Sequence, residues 1–175
     1  MPPVLRFVCA VLLFATVGAG SASACSIILD AHRTSWVQRL IDWRPPEPAL
    51  TPTAEVRRGI GPRPTDEPDV TYSTSCDDIG FITLTFPADA DTAVGYDFEI
   101  VAGQPPENFR LPGPLRLLSR ADGTHGLTLS WIDGATDRQE PFAFVLGIRT
   151  VDAAGNRSRT VTKIIVCDPG REATD

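Results

Sequence analysis

Along most of the chain, apolar and polar residues alternate with a period of two. Ile82, Leu84 and Phe86 alternate with Thr83 and Thr85, and Pro87 ends the run. Tyr96, Phe98 and Ile100 alternate with Asp97 and Glu99, and Leu127, Leu129 and Trp131 with Thr128 and Ser130. In a longer stretch, Phe142, Phe144, Leu146 and Ile148 fall on one side, with Ala143, Val145, Gly147 and Arg149 on the other. Each reads as a half-buried strand. Residues 53–57, 115–118 and 160–166 complete a set of seven. Seven short strands joined by Gly- and Pro-rich connections predict an all-β, two-sheet sandwich rather than a βαβ fold.

The first 48 residues break this period. Arg6 is followed by an apolar run over 7–17 and a small-residue segment ending Ala22-Ser23-Ala24, the layout of a cleaved signal peptide. The run is too short for a membrane-spanning helix, which takes roughly 20 residues. Residues 1–24 are therefore expected to direct export to the periplasm, the cell envelope or the medium. Residues 25–48 read as a tail. Ser35 and Gln38 are spaced as a capping box, and Trp36, Val37, Leu40 and Ile41 share one helical face, with Trp43 nearby. This short helix must stop before Pro45, and its apolar face is expected to dock on the sandwich. A contact with a partner or a membrane surface is the alternative. The sandwich is expected over 49–168, followed by a short tail over 169–175.

Composition refines the picture. Apolar residues form 42% of the chain, enough for a core, so global disorder is not expected. Arg6 is the only charged residue before position 25, so the mature chain carries 15 basic and 22 acidic side chains, a formal charge of −7. Such a surface repels phosphates, which disfavours nucleic acid and anionic lipid as partners. Of the four cysteines, Cys9 leaves with the signal peptide. An odd set remains: Cys25, Cys76 and Cys167. Cys76 paired with Cys167 is one solution; Cys25 pairing with either, or a bridge to another chain, are others. Cys25 is the first mature residue and a candidate for lipidation, although Ala22 stands where a lipobox prefers a large aliphatic residue. That lipid is the one expected link to a membrane.

The run from Phe144 to Ser158, FVLGIRTVDAAGNRS, resembles the F strand and F–G turn of bacterial fibronectin type III domains. Phe86-Pro87 matches the end of their strand B, and Gly95-Tyr96 the start of strand C. The resemblance covers residues 50–167 and implies a seven-stranded immunoglobulin-like sandwich. It says nothing of function, because that fold hosts many roles. It also implies that strand B starts and strand G ends at one pole, which would bring Cys76 and Cys167 together. Closing that loop of about 90 residues would stabilise by about 4–5 kcal/mol. The segment 133–140 is longer and more acidic than the usual E–F connection.

Candidate chemistry is sparse. No H-E-x-x-H helix, G-x-S-x-G elbow, P-loop or C-x-x-C pair occurs, and no cofactor is implied. Of the two histidines, His32 lies in the tail and His125 beside a glycine. The chain is therefore not expected to be an enzyme. Clustered loop carboxylates are the one ligand candidate: Asp133, Asp137, Glu140 and Asp152. Residues 137–140 (Asp-Arg-Gln-Glu) and 151–153 (Val-Asp-Ala) resemble cadherin-type calcium motifs, and calcium takes six to eight oxygens. Solvated turn aspartates are the competing reading. The expected function is an exported, non-enzymatic module that binds protein or glycan. A calcium-dependent cadherin-like adhesion domain and an accessory domain of a secreted hydrolase system are the alternatives.

Overall fold

The computed structural model describes residues 29–59, 78–133 and 139–170. They form a short helix, α1 (Trp36–Ile41), and seven strands: β1 (Thr53–Arg57), β2 (Ile79–Phe86), β3 (Gly95–Gln104), β4 (Leu118–Ser119), β5 (His125–Ile132), β6 (Phe142–Val151) and β7 (Thr162–Asp168). All pairings are antiparallel. They build a four-stranded sheet of order β1-β2-β5-β4 and a three-stranded sheet of order β3-β6-β7.

The alternating pattern sets which side chains fill the space between the sheets. On β2 every second residue is buried, and its Ile82 and Leu84 sit opposite Leu129 and Leu127 of β5. The other sheet contributes Tyr96, Phe98, Phe142, Phe144, Leu146 and Ile148 to the same cluster. Two antiparallel sheets sharing one core is the arrangement of a β-sandwich. Gly80 faces Trp131 across the β2–β5 ladder, and the indole lies where a Cβ at Gly80 would be. Any larger residue there would displace the ring.

Two strand boundaries differ from those expected. The segment around 115–118 pairs as a strand only at Leu118–Ser119, because it changes sheets. Leu115 exchanges backbone hydrogen bonds with Tyr96 of β3, whereas Leu118 lies opposite Gly126 of β5. Three residues that cross from one sheet to the other cannot stay in a single ladder. At the C-terminal end, β7 runs two residues further than the alternation suggests. Cys167 therefore lies inside the strand, opposite Ala143, rather than after it.

Tyr96 is the largest fully buried side chain. Its hydroxyl donates to the Asp91 carbonyl at 2.9 Å, and its ring packs on Phe86 with centroids 4.9 Å apart. Burial, helped by the nearby Asp91 charge, pushes its pKa from 10.0 up to about 12. Between those values the unfolded chain loses the phenolic proton while the folded protein keeps it. Stability is thus full below pH ~10 and falls by about 2–3 kcal/mol as pH rises to ~12. Tyr96→Phe should remove this alkaline loss, at a cost of about 1 kcal/mol at neutral pH for the lost hydrogen bond. Urea unfolding at neutral and alkaline pH checks both; an identical alkaline decline in the variant would contradict the assignment.

The tail is tied to the sandwich by polar contacts. The His32 ring covers Gly95, and its Nε2 lies 2.9 Å from the Asp152 carbonyl oxygen. The Ser35 amide donates to the Ala153 carbonyl at 2.6 Å, and Arg39 Nε to the Ala154 carbonyl at 3.2 Å. Thr150 and Thr162 hydroxyls donate to the carbonyls of Glu47 and Ala49. Ser35 occupies the N-cap position with extended backbone, but its side chain makes no capping bond. The helix ends at Ile41, before Pro45 as expected. The docking differs from expectation: α1 buries none of its residues, and its apolar face points to solvent. Backbone carbonyls at residues 152–154 hold the tail through its polar side, which turns the apolar side outward. No helix among the described residues is long and apolar enough to cross a membrane.

Candidate functional site

The ends of β1, β3, β5 and β7 and the starts of β2 and β6 meet at one pole of the sandwich. Asp133, just past β5, is the hub there. Its Oδ2 accepts from Arg58 Nε at 2.8 Å, from the Gly59 amide at 2.7 Å and from Gln139 Nε2 at 3.1 Å. Its Oδ1 accepts from Arg58 Nη2 at 2.8 Å and Trp131 Nε1 at 3.0 Å. Arg58 also donates to Asp168 Oδ1 at 3.1 Å and to the Glu140 carbonyl at 3.1 Å. One bidentate pair therefore links the end of β1 to β5, to the β5–β6 connection and to β7.

Both side chains are largely shielded from water, 10% exposed for Arg58 and 3% for Asp133. Burial acts to lower the guanidinium pKa, but hydrogen bonds and charge from Asp133 and then Asp168 outweigh it. The net pKa is raised, so Arg58 stays charged. Its guanidinium carbon lies 5.4 Å from the centre of the Phe142 ring, a cation–π contact. Phe142 in turn meets Trp131 edge-on at 5.8 Å.

Above this floor opens a cleft of about 690 Å³. Arg58, Pro105, Pro106 and Pro141 line it, together with the edges of the largely buried Trp131 and Phe142. Gln104, Glu107, Asn108 and Glu140 also line it. Their side chains make no hydrogen bond or ion pair with any described residue. Asn108 sits at φ +61°, the left-handed region that asparagine tolerates better than most residues, in the turn that follows β3. The volume falls within the range of small-ligand clefts. Among the described residues that line the cleft, the one cation, Arg58, is already neutralised, so they offer carboxamides and carboxylates.

The carboxylates proposed for calcium are not brought together. Asp133 and Glu140 lie at this pole, but Asp133 has its oxygens filled by five donors. Asp152 lies at the far end of the ten-residue β6 and closes its own turn, accepting from the Asn156 amide and side chain at 2.8 Å each. Asp137 lies outside the described residues. Among the described residues no group of three His, Cys, Asp or Glu is placed to hold a metal ion. Cys25 and Cys76 also lie outside the described residues, and Cys167 is an exposed free thiol on β7. Asp78, two positions after Cys76, nonetheless lies at the pole where β7 ends, its carbonyl accepting from the Asp133 amide at 2.8 Å. His125 stands at the opposite pole, its Nε2 lying 3.1 Å from the Ala88 carbonyl oxygen.

The residues that organise the site, Arg58, Trp131 and Gln139, were not singled out from the sequence as site residues. Arg58 follows Arg57 and has no local mark that separates a buried guanidinium from an exposed one. Trp131-x-Asp133 carries a usable signal, because an indole N–H and a carboxylate two residues apart at a strand end can meet. Comparison with protein-family models, with curated proteins and with solved structures finds no match to this chain.

Proposed function

We propose that this protein is an exported, non-enzymatic binding module that takes a glycan in the cleft at the Asp133 pole. The observation that carries the reading is the pairing of a prolyl-lined cleft with four polar side chains that engage no described residue. Carboxamides and carboxylates without a free cation suit hydroxyl-rich or amino-bearing ligands and disfavour anionic ones. A basic peptide segment is the protein ligand with the same chemistry. The floor suits a binding role: Asp133 is occupied by structural hydrogen bonds rather than poised for proton transfer. Export rests on the layout of residues 1–24. The immunoglobulin-like assignment is supported by strand order, since β1-β2-β5-β4 against β3-β6-β7 follows the four-on-three order of constant-type immunoglobulin domains.

Screening of the secreted protein against a glycan array tests the reading. Neutral or amino-bearing glycans should bind, and a Gln104→Ala/Glu107→Ala/Glu140→Ala variant, which spares the left-handed Asn108, should bind about tenfold more weakly with an unchanged melting temperature, as expected when several exposed polar contacts are removed. Equal binding by the variant, or a preference for anionic glycans, contradicts it. Binding of basic peptides but no glycan would move the ligand class to protein.

A further inference from the structure

The apolar face of α1 is unpartnered and held outward. Trp36, Leu40 and Ile41 are 75%, 75% and 76% exposed, and Trp43 just beyond the helix is 84% exposed. Val37, on the same helix, adds to the patch at 49%. The exposure is imposed by the fold, because the bonds from Ser35 and Arg39 to residues 153 and 154 fix the helix by its other side. A contiguous apolar surface of this kind marks a contact site.

Three observations select the occupant. First, two tryptophans bracket an aliphatic centre, and amphipathic aromatic rings favour the depth between lipid headgroups and acyl chains. Second, charge is distributed to suit such a surface. Residues 29–50 carry Arg33, Arg39 and Arg44 against Asp30, Asp42 and Glu47, a balance of zero in a mature chain of formal charge −7. The acidic excess lies elsewhere, so this tail is the part of the protein a membrane repels least. Third, position in the fold: the helix is held at residues 153 and 154, the pole away from the cleft, so seating its face on a flat surface leaves the cleft open.

We propose that the exposed face of α1, completed by Trp43, seats on the surface of a lipid bilayer. This rests on the export reading but not on the cleft. It gives the protein a membrane contact that needs no lipid on Cys25, and it leaves the cleft at the opposite pole free for ligand.

The test uses the full gene expressed in an exporting bacterial host, with a Cys25→Ser background so that no acyl chain contributes. Purified protein is floated with phosphatidylcholine vesicles and with phosphatidylethanolamine/phosphatidylglycerol vesicles. The Cys25→Ser protein is expected to float with both, and to remain bound at high salt because the contact is apolar. Its fluorescence should shift to the blue, a change that only Trp36 and Trp43 can report because Trp131 is already buried. Adding Trp36→Ser and Trp43→Ser should lower partitioning by about tenfold or more and leave the melting temperature unchanged. Equal flotation of the two proteins overturns the proposal. So does failure of the folded Cys25→Ser protein to float, or a concentration-dependent dimer abolished by the same substitutions, which would make a second copy the occupant. N-terminal sequencing separates the two readings, because retention of residues 1–24 sinks export while the paired vesicle comparison still reports on the patch.

Discussion

Replacing Asp133 with alanine should destabilise the protein by about 3–5 kcal/mol, the cost of breaking a buried ion pair from one side. The change leaves Arg58 charged and nine-tenths buried with only Asp168 for a counter-charge, and strands the Trp131 and Gly59 N–H donors. Domains of this size are stable by about 5–15 kcal/mol, so the loss takes a large share. Urea unfolding measures it as a lower midpoint at unchanged slope. Arg58→Met should cost a comparable amount by stranding the carboxylate. The double variant Asp133→Ala/Arg58→Met should lose less than the sum of the single effects, because it removes both charges of the buried pair and leaves only the more exposed Asp168 without its partner. A loss below about 1 kcal/mol in Asp133→Ala would mean that the pair is solvated and does not organise this pole.

The second large effect concerns the cysteines. Cys167 is a free, exposed thiol in the structure, so a Cys76–Cys167 bridge is a pairing that an oxidising compartment would have to add. If the chain is exported as proposed, non-reducing peptide mapping should find it. Asp78 and Asp168 reach the same pole through Asp133 and Arg58. Cys167, however, lies on the opposite, exposed face of β7 from Asp168, so the bridge requires the chain before Asp78 to reach around to that face. Cys76→Ser or Cys167→Ser should each cost about 2–5 kcal/mol, and the two together no more than either alone. Free thiols at both positions, or Cys25 in place of one of them, would contradict the pairing.

The strands were legible because each face of the sandwich demands its own alternation. Phe142, Phe144, Leu146 and Ile148 are buried as their spacing predicts. Segment 115–118 forms a strand only in part, because a crossing between sheets leaves no periodic mark. The helix was legible too, but not which of its sides would dock, since that depends on carbonyls contributed by residues more than a hundred positions away. The hub at Asp133 shows the same limit. A strand-end aspartate reads as a turn residue or a calcium ligand until Arg58, 75 residues earlier, is known to meet it. Local pattern reports which residues face inward; it does not report which distant polar groups satisfy them.

The central claim, that the cleft at the Asp133 pole is the working surface, is tested most directly by titrating isotope-labelled secreted protein with the array-selected glycan and following backbone amides by NMR. The account predicts shifts confined to residues 104–108, 131–133 and 139–142. Shifts centred on the outer face of β3, β6 and β7, or on the turn after β6, would contradict it.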